Sequence, residues 1–289
     1  MLTHIKKLVR RAEKGKYALG AFNTFNLEMT LGVVKGAVWA QGPIVIQVSE
    51  TTLRYTGVEV IAHLVQTITE NQAKGVPIAL HLDHGRTFSA VVECVKSGFS
   101  SIMIDASDLS FDKNVAITKK SSEYAHRYNV WAQGELGRVV KKEGEIKRLI
   151  KGPEEFLTDP DQAQEFVKKT KIDTLAVSVG NVHGPYKMKH GVPSLFLNRL
   201  KEIQKRVKIP LVLHGASGIP KNQIKKAIDL GVRIINIDTE IRFAFKQGLT
   251  DSLKKKQEYD PRCLLSPCID EVARVVKDKI LMFGSQNKI

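Results

Sequence analysis

LVLHGASGIPKNQIKKAIDLGVRIINIDTE, residues 211–240, contains one complete unit of the fold. It opens on Leu211, Val212 and Leu213, an apolar run of the kind found in strands buried on both faces. A turn of small residues follows, and then Pro220, which suits a helix start because a first turn leaves that N–H unbonded anyway. Ile224, Ala227 and Ile228 recur at the spacing of one helical face, and Gly231 stands where a helix end favours a residue of positive φ. A second apolar run, 234–237, closes the unit. A strand, a helix and a second strand joined this tightly predict parallel strands with a crossover helix.

The unit recurs along the chain. Apolar runs at 19–22, 44–48, 78–82, 102–104, 130–132 and 175–179 bring the number of such strands to eight. Helical periodicity fills the gaps, for example Ile61, Leu64, Val65 and Ile68 before Gly75, or Phe88, Val91, Val92 and Val95 before Gly98. Eight alternating strands in 289 residues, with no linker rich in Pro, Gly or Ser, predict an α/β protein built as a single (β/α)8 TIM barrel. One domain over residues 1–289 is expected, in preference to an open doubly wound sheet. Amphipathic segments at 2–12 and 269–283 are expected as extra N- and C-terminal helices outside the barrel. The longest interruption, 137–170, is polar and charged and falls between the fifth and sixth strands. Long loops there often act as lids.

Composition narrows the classes. No segment approaches the ~20 apolar residues of a membrane span, and the N-terminus has no continuous apolar stretch of a secretory leader. Cys94, Cys263 and Cys268 share no CxxC spacing and are too few for a disulfide framework, so a reducing, cytoplasmic setting is expected. The net charge of +15 raises nucleic-acid binding as an alternative. The basic residues are spread over helical segments without interleaved aromatics to stack on bases, so a solvated surface that draws in phosphorylated substrates is the preferred reading.

In such barrels chemistry sits at the carboxyl ends of the strands. The polar residues that follow the apolar runs are Asn23, Ser49, Glu50, Asp83, His84, Asp105, Glu135, His183, His214, Asn236 and Asp238. Three of the eight histidines stand at strand ends with a glycine behind each: His84-Gly85, His183-Gly184 and His214-Gly215. Three imidazoles with an open fourth position suit catalytic zinc, which polarises a carbonyl as a Lewis acid. His81 alternates onto the same face as Asp83 and is expected to be structural. Asp83, beside His84, is placed to move a proton on a substrate oxygen. Asp105 and Glu135 are candidates for orienting ligands or for an alternate metal position. HGASGIP, 214–220, and Thr239 in NIDTE, 236–240, precede two successive helices, a pattern that suits phosphate.

HLDHG at 81–85, MID at 103–105, GELG at 134–137, GNVHGPY at 180–186, LVLHGASGIP and NIDTE occur in this order. Together they resemble the class II fructose-bisphosphate and tagatose-bisphosphate aldolase family, over a span from Gly20 to Ser285. The resemblance implies a metal-centred aldehyde-lyase without a Schiff-base lysine. It implies zinc on His84, His183 and His214, with a monovalent cation as a further candidate, and Asp83 as the acid/base at the cleaved bond. Gly184, Gly215, Ala216, Ser217, Asn236, Asp238 and Thr239 would hold dihydroxyacetone phosphate. Asn23 and Ser49 would face the sugar and far phosphate. Arg262 would complete a phosphate site from a neighbouring subunit, in a homodimer or homotetramer.

This chain departs from the family pattern after GELG. The family shows a sequence like TVGGxED, whereas residues 138–145 read RVVKKEGE. Glu143 then falls on the acid of the mobile loop, and Val140 and Lys141 replace its two glycines. Closure is expected to be slower, or its hinge displaced to Gly137 and Gly144, and glycine restored at 140 and 141 is expected to raise turnover if closure is limiting. Ala216 stands where fructose-bisphosphate members often carry glycine. Fructose 1,6-bisphosphate is the first candidate substrate, with tagatose 1,6-bisphosphate or a phosphorylated deoxy-ketogluconate as alternatives. From another class, a barrel that has lost turnover and binds sugar phosphates is the alternative that intact Asp83 and histidines argue against.

Overall fold

The computed structural model describes residues 2–140, 143–184, 194–254 and 257–289, and of Glu143 only the backbone. Lys141 and the Pro185-Tyr186 end of GNVHGPY lie outside the described residues. All eight runs form strands: β1 (Leu19–Asn23), β2 (Ile44–Ser49), β3 (Ile78–Gly85), β4 (Ser101–Ile104), β5 (Trp131–Leu136), β6 (Thr174–Val177), β7 (Leu211–Leu213) and β8 (Val232–Ile237). They pair in parallel in sequence order, and β8 returns to β1, so the sheet closes into a barrel.

Alternation along the strands sorts the side chains into two layers. One set, including Phe22, Ile46, Leu80, Ile102, Val177, Leu213 and Ile235, points outward into the core shared with the surrounding helices. The other set, Leu19, Ala21, Val45, Ala79, Met103, Ala176, Val212 and Ile234, fills the barrel interior. The same inward series becomes polar toward the carboxyl ends, through Asn23, Gln47, Asp83, Asp105, Glu135, His214 and Asn236, and these polar ends are also buried. A period of 2 thus carries an apolar floor into a polar roof within each strand.

The first helix, α1 (Ile5–Gly15), is the expected extra N-terminal helix and covers one end of the barrel. Its buried face, Ile5, Leu8, Val9 and Ala12, packs into the interior cluster and closes the amino-terminal end. The helices that surround the strands are α2 (Leu27–Ala40), α3 (Glu50–Thr56), α4 (Val58–Gln72), α5 (Phe88–Lys96), α6 (Phe111–Arg127), α7 (Glu143–Lys151), α8 (Pro160–Thr170), α9 (Leu197–Arg206), α10 (Lys221–Asp229) and α11 (Thr239–Leu253). The last helix, α12 (Pro261–Phe283), starts earlier than the periodic segment 269–283, because Asp260 caps it by accepting from Arg262 N. Among the described residues no helix is long and apolar enough to cross a membrane.

The expected lid, 137–170, has a small apolar core of its own. Val140, Ile146, Leu149, Phe156 and Val182 are buried against one another, apart from the two larger clusters. Arg138 Nη2 pairs with Glu145 Oε1 at 2.7 Å, and its guanidinium lies 4.9 Å from the Phe156 ring centroid.

Helices α2 and α12 pack in close contact. A Cβ on Gly36 would lie 2.5 Å from Ala273 O and 2.7 Å from Val276 Cβ, so only glycine allows the two helices to approach this closely. Gly36→Ala gains about 1 kcal/mol of helix propensity but must displace backbone, at a cost of about 1–3 kcal/mol or more. A net loss of stability is expected, read as a lower urea midpoint with an unchanged slope. An equal or higher midpoint would contradict the contact.

Candidate active site and metal centre

A cavity of about 360 Å³ opens at the carboxyl ends of the strands. Of the residues expected there, Asn23, Ser49, Asp83, His84, His183, Gly184, His214, Gly215, Ser217, Asn236, Asp238 and Thr239 line it. Asp105 and Glu135 lie buried beneath His84. Ala216 is buried in the outer core, so any contact it makes with a ligand is through its backbone. Arg262 is not brought to the cavity within this chain; it sits exposed at the start of α12, paired with Asp260 at 2.7 Å. The side chain of Glu143 lies outside the described residues.

The three histidines converge by different routes. His84 lies in β3 at a register shift against β4, with φ of 47°, a left-handed conformation that costs a non-glycine residue energy and is typical of functional sites. His214 follows directly on β7. His183 does not stand at a strand end: β6 stops at Val177, and the histidine comes six residues later on a loop. That loop is shaped by Asn181, whose Oδ1 accepts from Val179 N at 2.7 Å and whose Nδ2 donates to His214 O at 3.0 Å. Gly215 makes the close approach possible, since a Cβ there would lie 2.6 Å from Val182 O.

The ligand atoms of His84, His183 and His214 all lie within 4.8 Å of one another. His214 Nδ1 and His84 Nε2 face each other at 3.0 Å. His84 Nδ1 is bonded to Asp105 Oδ2 at 2.8 Å, the arrangement that fixes ring orientation in metal-binding histidines. Burial alone would lower the pKa of His84, but Asp83, Asp105 and Glu135 outweigh it and raise the pKa to about 9. Burial and the neighbouring His84 and His183 hold His214 well below its ordinary value. Burial, helped by the charge on the neighbouring histidines, thus keeps His214 neutral, and neutral imidazole is the form that binds metal. His84, Asp105 and Glu135 form a second group of donors within 4.8 Å. His81 is structural as expected, bonded through Nδ1 to Ser101 Oγ at 2.9 Å, with burial lowering its pKa to about 4.

Asp83 is held at the cavity wall. Asn23 Nδ2 donates to its Oδ2 at 2.9 Å and Asn236 Nδ2 to its Oδ1 at 3.3 Å, while Oδ1 lies 3.9 Å from His84 Nε2. Gln47 Nε2 in turn donates to Asn23 Oδ1 at 2.6 Å. Glu50 accepts from the backbone N–H groups of Arg86 and Thr87, fixing the turn after β3. Reading the ends of apolar runs missed Gln47, Gln133 and Asn181. The signal for the two glutamines was the alternation itself, since Gln47 and Gln133 fall two residues before Ser49 and Glu135 on the inward face. Arg54, Arg86 and Arg242 line the cavity and were also missed. Asp238 pairs with Arg242 at 2.6 Å; burial raises its pKa, partly offset by that arginine.

The class II fructose-bisphosphate aldolase family model matches residues 3–288. Fructose-bisphosphate aldolases of Geobacillus stearothermophilus and Staphylococcus aureus strain Mu50 are each 39% identical to the chain, over 99% of it and 98% and 99% of their own lengths. The YdjI aldolase of Escherichia coli K12 superposes with a TM-score of 0.83 at 32% identity, covering 100% of this chain and 99% of that one. A putative fructose-1,6-bisphosphate aldolase from Coccidioides immitis gives a TM-score of 0.85 at 27% identity, over 99% and 97% of the two chains. With its eight-stranded barrel and its three-histidine mouth, this chain belongs to the class II fructose-bisphosphate aldolase family, enzymes of the lyase class.

Proposed function

We propose that residues 1–289 act as one aldolase domain that cleaves fructose 1,6-bisphosphate reversibly to dihydroxyacetone phosphate and glyceraldehyde 3-phosphate, with zinc as cofactor. The observation that supports this most directly is the convergence of His84, His183 and His214 beside an anchored Asp83. The donor set fits zinc: three imidazoles, one of them oriented by Asp105. Zinc, when bound, supplies Lewis-acid polarisation of the substrate carbonyl.

The remaining roles belong to the chain. Retro-aldol cleavage requires loss of the proton from the hydroxyl next to the cleaved bond, and Asp83 is the acceptor for it. Asn23 and Asn236 orient its carboxylate toward the cavity by hydrogen bonds to both oxygens. The loops after β7 and β8, with Gly215, Ala216, Ser217, Asn236, Asp238 and Thr239, together with Gly184, hold the phosphate of the dihydroxyacetone half. Asn23 and Ser49 face the other half. Glu143 serves the proton exchange at carbon, and Arg262 reaches a neighbour's site in a homodimer or homotetramer.

The zinc-loaded protein, given fructose and tagatose 1,6-bisphosphates in turn, is expected to release triose phosphate faster from fructose. Release from tagatose alone would reassign the substrate, and release from neither would remove the proposal. Asp83→Ala is expected to keep its zinc and lower turnover by about 10²- to 10⁴-fold, the usual worth of a positioned acid/base. Near-normal turnover in that variant would exclude the role. Asp105→Asn is expected to weaken zinc binding by about 10- to 100-fold, measured by chelator competition, because His84 loses the carboxylate that orients it. Unchanged affinity would show that Asp105 has no such part.

A further inference from the structure

Two of the three cavity histidines are carried by the barrel itself, His84 within β3 and His214 directly after β7, whereas His183 stands on a loop six residues past β6. Something outside the strand must therefore fix its backbone. The Val182–His183 peptide is held on two sides. On one, Gly215 allows the close approach described above. On the other, His183 N donates to Val140 O at 2.8 Å, and residues 140 and 182 form an isolated parallel bridge.

Val140 has reason to stay there. Its side chain is 1% exposed and packs with Ile146, Leu149, Phe156 and Val182, each 3% exposed or less. A valine in this cluster costs energy to withdraw, because its methyl groups would pass into water. The carbonyl that holds His183 is thus fixed by apolar packing from α7 and the turn that follows it.

We propose that Val140 is a positioning residue for His183: packing of its side chain holds the carbonyl that fixes the backbone of the third metal-binding histidine. Glycine at 140 then lowers turnover, contrary to the expectation drawn from hinge chemistry alone, because it releases His183 instead of merely freeing a hinge. The inference rests on the three-histidine metal reading only for its functional consequence; the clamp itself is a property of the backbone.

The test uses the full chain with ¹⁵N-labelled histidine, in Val140→Gly, Val140→Ala, Val140→Ile and Leu149→Ala. Amide hydrogen exchange at His183 is measured without metal, and zinc affinity by chelator competition. Val140→Gly is expected to speed His183 exchange by on the order of ten-fold or more and to weaken zinc by about ten-fold, the scale at which loss of ligand support is felt. Val140→Ile is expected to keep both values, while Val140→Ala and Leu149→Ala move them in the same direction as glycine. These last two decide the matter if Val140→Gly does not fold. Unchanged His183 exchange in the glycine and alanine variants would overturn the clamp. Faster exchange with unchanged zinc affinity would overturn its role in positioning a ligand. A wild-type chain that binds no zinc, yet shows the exchange pattern, would refute the metal reading and leave the backbone clamp standing.

Discussion

Asp105 and Glu135 place two carboxylates, with side chains 0% exposed, at the end of a barrel whose walls are apolar. A buried carboxylate is tolerable only with positive charge or donors facing it. The chain supplies these from Ser107, whose hydroxyl donates to Asp105 Oδ1 and lies 3.3 Å from Glu135 Oε1, and from the end of β3 and the turn after it. His84 Nδ1 lies 2.8 Å from Asp105, and Arg86 Nη2 lies 3.2 Å from the same Asp105 oxygen. Much of the rest of the site depends on this arrangement. It holds His84 in orientation and raises its pKa, and the charge on His84 adds to the burial that keeps His214 neutral. A cluster built in this way makes a cation welcome at a position that the barrel would otherwise keep dry.

The fold was largely legible in the sequence because parallel strands buried on both faces leave continuous apolar runs, and helices such as α5, α10 and α12 are followed by a glycine of positive φ, Gly98, Gly231 and Gly284. What was not legible depends on contacts between distant segments. The helical periodicity of residues 5–15 shows a buried face but not what covers it, and only closure of the sheet reveals that the face plugs the barrel floor. His183 looked like a strand-end residue because its apolar run extends to Val179, yet β6 has no ladder beyond Val177, where Asn181 bonds back to the chain instead. Gln47 and Gln133 lie inside their strands, and inward alternation puts Gln47 on the cavity wall and Gln133 against His214. His84, His214 and Asp83 were legible because each couples a distinctive side chain to a strand exit.

The loop after β5 shows how a local departure from a family pattern can be compensated elsewhere. Val140 in place of a hinge glycine looks like a loss of backbone freedom when considered alone. In three dimensions it enters a cluster completed by Ile146 and Leu149 of α7 and by Phe156, with Arg138 bridging to Glu145 across the same segment. Apolar area is gained at the base of the loop, so any movement must occur beyond residue 140 or carry the cluster with it.

Charge at the cavity rim works differently from the overall charge of +15. Arg54, Arg86 and Arg242 all line the opening, yet each has a carboxylate partner within the chain: Glu50 at 3.7 Å, Asp108 at 3.0 Å and Asp238 at 2.6 Å. Paired guanidiniums give up little net field, so long-range attraction of an anion comes mainly from the dispersed surface lysines and arginines and is screened beyond about 10 Å at moderate salt. Close in, the order reverses. A guanidinium has five donors, more than one carboxylate can occupy, and a phosphate can share it without breaking the existing pair. The paired arginines therefore favour an anion that arrives at the right place and contribute little to one that only comes near. Such a rim suits a substrate whose two charged ends must both be placed before a bond between them can break.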